Sequence, residues 1–299
     1  MKILIGYDGS DCAHAALDDL QRAGLPRTAE ALLITVAELW LPPPPSSYEI
    51  PEGALPEGVL GGVIEAKRQA REAVEAANAM AFQASKAVQS LFPAWTVSSE
   101  AYSGSPAREI LDRADEWGAD LIFVGSHGRS PFGRLILGSV SQRVVTDASC
   151  SVRVARHLVR QKGSPARLII GLDGSSEAEC AVRSVASRNW PKESEVLLVT
   201  SVDPLHKYAM EPEDRFGFAR SFHRAAETLL HAAGLQVASL IKEEDPKVLL
   251  VAEAERWDAD SIFVGARGLG RMERFFLGSI STAVVSRAHC SVEVVRARS

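Results

Sequence analysis

Two stretches of this 299-residue chain combine glycine, serine and basic side chains at a spacing suited to holding an anion. The first begins Gly125-Ser-His-Gly128-Arg129 and ends Gly138-Ser139; the second begins Gly265-Ala-Arg-Gly268 and ends Gly278-Ser279. Both read Gly-x2-Gly-x9-Gly-Ser. Glycine at such points lets backbone amides approach a ligand where a β-carbon would stand in the way. A Gly-Ser pair that opens a helix adds unpaired N–H groups and the positive end of the helix dipole, both of which favour phosphate. Hydroxyls at Ser139 and Ser141 are expected to donate to phosphate oxygens. Val140 lies between them, and Ser279, Ile280 and Ser281 are their counterparts in the second stretch.

Other residues bear on the chemistry. Arg129 is placed to meet phosphate, whereas the second copy has Leu269 there and carries Arg267 at the position of His127. His127 has no carboxylate or nucleophile at a recognisable spacing, so the expectation is a histidine on the loop surface and not a general acid or base. Asp8-Gly-Ser10 and Asp173-Gly-Ser175 allow two readings: a carboxylate that meets Mg²⁺ through a nucleotide, or a turn aspartate before a helix. No Walker A sequence and no Gly-x-Gly-x-x-Gly after a strand is present, which argues against a P-loop NTPase or a dinucleotide oxidoreductase.

These loops belong to an internal repeat. Residues 117–154 match 257–294 at 20 of 38 positions, an offset of 140, while Ile5–Ser10 matches Ile170–Ser175 at an offset of 165. The first copy therefore carries 165 − 140 = 25 extra residues in its middle. Leu41–Gly62, with Pro42 to Pro45 in a row and four glycines, is the expected insertion, a surface excursion unable to hold a regular helix. Residues 160–165 suit a linker, which gives domains at 1–158 and 165–299.

Within each copy apolar runs alternate with helical patterns, the signature of βαβ units and a parallel sheet. In the first copy, strands are expected at Ile3–Tyr7, Ala31–Val36, Trp95–Tyr102, Asp120–Gly125 and Val152–Ala155. Helices are expected after Ser10, over about Glu65–Leu91, from Pro106 to Trp117 and at Ser139–Asp147. The second copy repeats this order. The fold class is thus α/β: two tandem five-stranded parallel sheets of Rossmann-like type. In open sheets of this kind ligands sit beyond the carboxyl ends of the strands. That is where Asp8, Val36 and the glycine loop fall. Trp117 and Trp257, each at the end of a helix, are expected to pack the core.

Bulk composition narrows the classes. The chain is 46% apolar and 24% charged, with a net charge of −5. It has no run of lysine and arginine to follow a phosphate backbone, so nucleic acid is not expected as a partner. No stretch approaches the roughly 18–20 apolar residues that span a bilayer, and no secretory leader is visible. Cys12, Cys150, Cys180 and Cys290 show no CxxC or metal-ligand spacing and read as buried free thiols in the cytoplasm.

On the glycine loops and the two aspartates, the chain resembles the ATP-binding members of the universal stress protein family. The resemblance covers nearly all of both halves apart from the insertion. It implies an adenine-nucleotide fold in which the aspartate and a residue ending the second strand hold base and ribose, while the glycine segments hold ribose and phosphates. Carried over, these are Asp8, Val36, Gly125, Gly128, Gly138 and Ser139, and in the second copy Asp173, Gly265, Gly268, Gly278 and Ser279. Ser201 replaces Val36 in the second copy, which with Leu269 makes the first site the firmer, while both copies are expected to bind ATP. The resemblance further implies a stress or signalling protein that holds ATP, with or without Mg²⁺, without fast turnover. A slow Mg²⁺-dependent ATPase or nucleotide-transfer enzyme, and a ligand-free dimerisation or adaptor module, are the alternatives. Fifth strands that meet, Val152–Ala155 with Val292–Val295, would make an intramolecular pseudo-dimer, and a homodimer of the tandem chain is a further expectation.

Overall fold

The computed structural model describes residues 1–38, 57–127, 137–156, 163–202, 212–268 and 277–297. The first copy runs β1 (Lys2–Gly6), α1 (Asp11–Asp19), β2 (Glu30–Ala37), α2 (Glu57–Leu91), β3 (Thr96–Ser103), α3 (Pro106–Trp117), β4 (Leu121–Gly125), α4 (Ser139–Asp147) and β5 (Ser151–Ala155). The second runs β6 (Arg167–Gly171), α5 (Ser176–Ala186), β7 (Glu195–Ser201), α6 (Pro212–Ala232), β8 (Gln236–Lys242), α7 (Pro246–Arg256), β9 (Ser261–Gly265), α8 (Ser279–Arg287) and β10 (Ser291–Val295). Every strand expected for the first copy is present to within a residue at each end.

One expectation needs correction. The long helix α2 starts at Glu57, inside the segment expected to exclude helix, and takes in Gly58, Gly61 and Gly62. Pro56 explains where the helix can begin, because proline is tolerated at a helix start and not inside one. Three glycines weaken a helix by about 1 kcal/mol each relative to alanine but do not stop a helix of 35 residues. The prolines Pro42–Pro45, Pro51 and Pro56 lie outside the described residues.

The strands form one ten-stranded sheet in the order β3-β2-β1-β4-β5-β10-β9-β6-β7-β8. All neighbours are parallel except the central pair, where β10 runs antiparallel to β5 with Val292 opposite Val154, Glu293 opposite Arg153 and Val294 opposite Val152. Each half is therefore the same parallel sheet, and a pseudo-twofold axis passes between their fifth strands as expected.

Side-chain alternation along β5 and β10 assigns two different jobs to the two faces. Val152, Val154, Val292 and Val294 join one continuous apolar core that spans both copies beneath α3, α4, α7 and α8. Trp117 and Trp257 pack against it, as anticipated. On the opposite face each copy keeps its own core under α1 and α2 or under α5 and α6. Between those two cores lies a buried ionic network. The fully buried Arg153 donates to Asp19 (Nε to Oδ2, 2.6 Å) and to the Ser261 hydroxyl (2.7 Å), and stands 3.5 Å from Glu293. Glu293 in turn pairs with Arg188.

A second reciprocal contact locks the halves. Arg156, just past β5, donates to the Val285 carbonyl near the end of α8 (2.6 Å), and Arg296, just past β10, donates to the Val145 carbonyl of α4 (2.5 Å). A cation is favoured at a helix C-terminus, where carbonyls lack intrahelical partners. Among the described residues no helix is long and apolar enough to cross a membrane.

Candidate functional site

The carboxyl ends of β1, β2 and β4 and the start of α4 converge under α2 on a cavity of about 600 Å³. Asp8, Val36, Gly125, His127, Gly138, Ser139, Val140 and Ser141 all line it. The chain order of these residues is dispersed; the parallel sheet brings every strand end to one edge. Gly128 and Arg129 lie outside the described residues.

The turn after β1 is built from its own polar groups. Asp8 Oδ1 accepts the Ser10 amide (3.0 Å) and the Ser10 hydroxyl (2.6 Å), and the Ser10 oxygen accepts the Ala13 amide (3.2 Å). Ser10 is thus the N-cap of α1, and Asp8 shapes the turn that presents its own carboxylate to the cavity.

The glycine at the end of β4 has a different cause from the one expected. A β-carbon at Gly125 would sit 2.7 Å from the Cys12 backbone carbonyl, so glycine is demanded by the first turn of α1 and not by a ligand. Gly265 meets Glu177 of α5 in the same way, at 2.9 Å. The loop also closes on itself: the Gly138 amide donates to the Ser126 carbonyl (2.8 Å), and Gly278 does the same to Ala266. Ser141 and Ser281 are not phosphate donors here. Each is buried and gives its hydroxyl proton to the Gly125 or Gly265 carbonyl at 2.6 Å. What faces the cavity from α4 is the first helical turn, Ser139 and Val140, with the orphan amides any helix start exposes.

His127 is half-buried, not on the open loop surface as expected. Its Nδ1 lies 3.1 Å from the Ser126 hydroxyl, while its buried Nε2 has no partner among the described residues. Burial, reinforced by the Arg156 charge, lowers its pKa and keeps the ring neutral near pH 7. Thr35, at the end of β2, also lines the cavity and holds a buried hydroxyl with no partner. Sequence reasoning missed Thr35, and it missed the roof: Ala73, Ala76, Ala77 and Met80 of α2. An alanine-rich helix face was visible, but only the fold shows that small side chains there leave space over the strand ends.

The second copy uses the same backbone differently. Asp173 Oδ1 accepts the Ser175 amide (2.9 Å), and its Oδ2 lies only 2.5 Å from where a β-carbon of Gly268 would be. Arg267 donates its backbone amide and its guanidinium (Nε, 2.7 Å) to the buried Glu177 carboxylate. Gly278, Ser279 and Ile280 stand at the start of α8 as their counterparts do at α4.

All four cysteines are free. Cys150 and Cys290 are buried, and burial pushes their thiols up to about 11 and about 12. Cys12 and Cys180 are only half-buried, against the expectation that all four are interior.

With this geometry in hand, comparison with known proteins is direct. The universal stress protein family profile matches residues 1–156 and again 166–296. A universal stress protein of Mycolicibacterium smegmatis is 27% identical over 312 aligned residues, covering 99% of this chain and 97% of that protein. Universal stress protein YxiE of Bacillus subtilis is 33% identical over 167 residues, which is 52% of this chain and 98% of YxiE. Among solved structures, a universal stress protein from Archaeoglobus fulgidus shares the fold across the whole chain, with a TM-score of 0.64 at 22% identity, covering 98% of that chain. Two successive matches to one family, on one continuous sheet with a pseudo-twofold axis, place the chain in the universal stress protein family as a tandem of two such domains.

Proposed function

We propose that the first copy binds an adenine nucleotide, with ATP as the ligand, and that the protein serves a stress or signalling role by holding it without fast hydrolysis. The observation that carries this is the cavity over β1, β2 and β4. Its volume, about 600 Å³, falls in the range of small-molecule sites. Two buried polar atoms that have no partner among the described residues, Thr35 Oγ1 and His127 Nε2, belong to residues that line it. Buried polar groups are seldom left unpaired, so such atoms fit a site completed by a ligand. The start of α4 suits phosphate through its N–H groups and dipole. The apolar underside of α2, Ala76, Ala77 and Met80, suits the flat faces of a base or the sugar edge.

Asp8 lines the cavity and would face a nucleotide-bound Mg²⁺ or a ribose hydroxyl. Among the described residues no three histidine, cysteine or acidic side chains gather as a metal cluster. A cation would therefore arrive with its phosphates. Fast hydrolysis requires a group that orients and activates water. Among the described residues, Asp8 and the neutral His127 are the side chains at the site suited to that, and they support a second reading as a slow Mg²⁺-dependent ATPase or nucleotide-transfer enzyme. Turnover above about one per minute, abolished in His127→Ala, would establish that reading; typical enzymes run nearer 10 per second.

Equilibrium titration with ATP and with a fluorescent ATP analogue tests the primary reading. Saturable binding tighter than about millimolar, worth about 4 kcal/mol, is expected. Flat titrations with both ligands would sink it. A cytoplasmic location and a homodimer of the tandem chain complete the proposal; light scattering that shows only monomer removes the homodimer.

A further inference from the structure

The two copies share the backbone of the site but not its state of satisfaction. We infer that nucleotide occupies only the first copy, because the second copy's site is filled by its own side chains. This rests on the nucleotide reading above and goes beyond it by assigning one ligand per chain.

Five substitutions, in the helix after the first strand, the loop after the fourth strand and the helix after the second strand, point the same way. At the first turn of the helix after the first strand, Cys12 corresponds to Glu177, and in the loop after the fourth strand His127 corresponds to Arg267. The second-copy pair forms a salt bridge, and the same carboxylate accepts the Arg267 backbone amide. Glu177 is 5% exposed, so its charge sits inside the site. An incoming phosphate would meet that carboxylate and the Asp173 carboxylate together, in a region of low dielectric where like charges repel strongly. Arg267 adds no positive charge for a ligand, because Glu177 already takes it. In the first copy the position of Glu177 is held by Cys12, which carries no carboxylate.

The helix roof differs as well. Met80 lies over the Gly9 turn, 3.1 Å from where a β-carbon of Gly9 would be, and Phe222 lies over the Gly174 turn at 3.2 Å. This equivalence aligns the buried positions Ala77, Ala81, Ala84 and Val88 with Ala219, His223, Ala226 and Leu230. It also aligns Ala76, which lines the first cavity, with Phe218. Phe218 and Phe222 pack edge-to-face at 5.5 Å over the second turn, where the first copy has alanine and methionine.

The third difference concerns the hydroxyl at the end of the second strand. In the first copy the Thr35 hydroxyl has no partner among the described residues. Its counterpart Thr200 donates to the Leu172 carbonyl (2.7 Å) and hydrogen-bonds His223 Nε2 (2.7 Å). His223 stands where the first copy has Ala81, so the added imidazole supplies the partner that Thr35 lacks. Polar groups that are mutually satisfied lose those bonds when a ligand enters, and the gain on binding shrinks accordingly.

Calorimetric titration of the full chain with ATP, paired with fluorescence titration using N-methylanthraniloyl-ATP, tests the inference. The expected stoichiometry is one nucleotide per chain. Ala76→Phe, which brings the second copy's aromatic side chain to the roof of the first, should weaken binding at least tenfold while circular dichroism stays native. Two equivalents per chain overturn the inference, as does a single equivalent whose affinity Ala76→Phe leaves unchanged. Absence of any binding overturns the nucleotide reading itself and this inference with it, so the two failures are told apart by zero against two. The wild-type stoichiometry decides between one and two whatever the variant does.

Discussion

Arg153 offers the sharpest test of how the two copies are held together. It is fully buried at the centre of the sheet, 2.6 Å from Asp19 and 3.5 Å from Glu293, and its neighbour across the strand pair is Glu293 itself. Arg153→Leu keeps an apolar stem but removes the only guanidinium that reaches Asp19 among the contacts described. Asp19, 4% exposed, is then left with the Ser291 hydroxyl at 3.0 Å. Removing one partner of a buried ion pair typically costs about 3–5 kcal/mol, because a charge stays buried without compensation. At about 2–4 °C per kcal/mol for domains of this size, the melting temperature should fall by about 10 °C. Arg108→Leu is the control. Its partner Asp112 lies 3.4 Å away with both side chains well exposed, and such pairs contribute at most about 1 kcal/mol. The companion variant Arg153→Leu/Asp19→Leu replaces both charges with apolar groups and should recover much of the loss. Differential scanning calorimetry reads these three and the single variant Asp19→Leu. If Arg153→Leu melts with Arg108→Leu, or the double variant is as unstable as the sum of its two singles, the network does not hold the halves in the way argued.

Other consequences follow from single contacts. Gly125→Ala places a β-carbon 2.7 Å from the Cys12 carbonyl, so a loss of about 1–3 kcal/mol is expected in chemical denaturation, with nucleotide affinity reduced as α1 shifts. Ser10→Ala removes the α1 cap to Ala13 and should lower stability by about 1 kcal/mol, read the same way. Burial lowers the pKa of His223, so the unfolded chain binds the proton more readily than the folded one. That contribution to stability is complete above the unfolded value near 6.5 and declines as pH falls through it. The melting temperature should therefore drop less between pH 7 and pH 5 in His223→Gln than in the wild type, and equal drops would refute the assignment. A thiol reagent at pH 8 should modify Cys12 and Cys180 in the folded protein and reach Cys150 and Cys290 only on unfolding, since the latter pair is buried with raised pKa.

Much of this molecule is local in origin and could be read along the chain. The repeat, the alternation of apolar runs with helical patterns, the cap at Ser10 and the helix at Ser139–Asp147 all depend on residues close in sequence. The pairing of β5 with β10 is not local: the resemblance to the universal stress protein family implied it, and the two strands lie far apart in the chain. The start of α2 was less legible: glycines at 58, 61 and 62 lower helix propensity, yet packing and length override it. Tertiary structure alone decided the rest. Gly125 reads as a ligand-approach glycine by spacing, but the crowding comes from α1, a contact across more than a hundred residues. Ser141 reads as a phosphate donor, but its proton goes to the strand end it packs against. The roof of the first cavity and the filling of the second come from helices whose small or aromatic faces look like ordinary core in sequence. Cys12 with His127, and Glu177 with Arg267, are separated by 115 and 90 residues, and only a parallel sheet that brings its strand ends to one edge shows that each pair belongs to one site. Periodicity encodes elements because it acts within a few turns of chain. Which groups are left for a ligand depends on which neighbours have already taken them, and those neighbours are fixed by the fold.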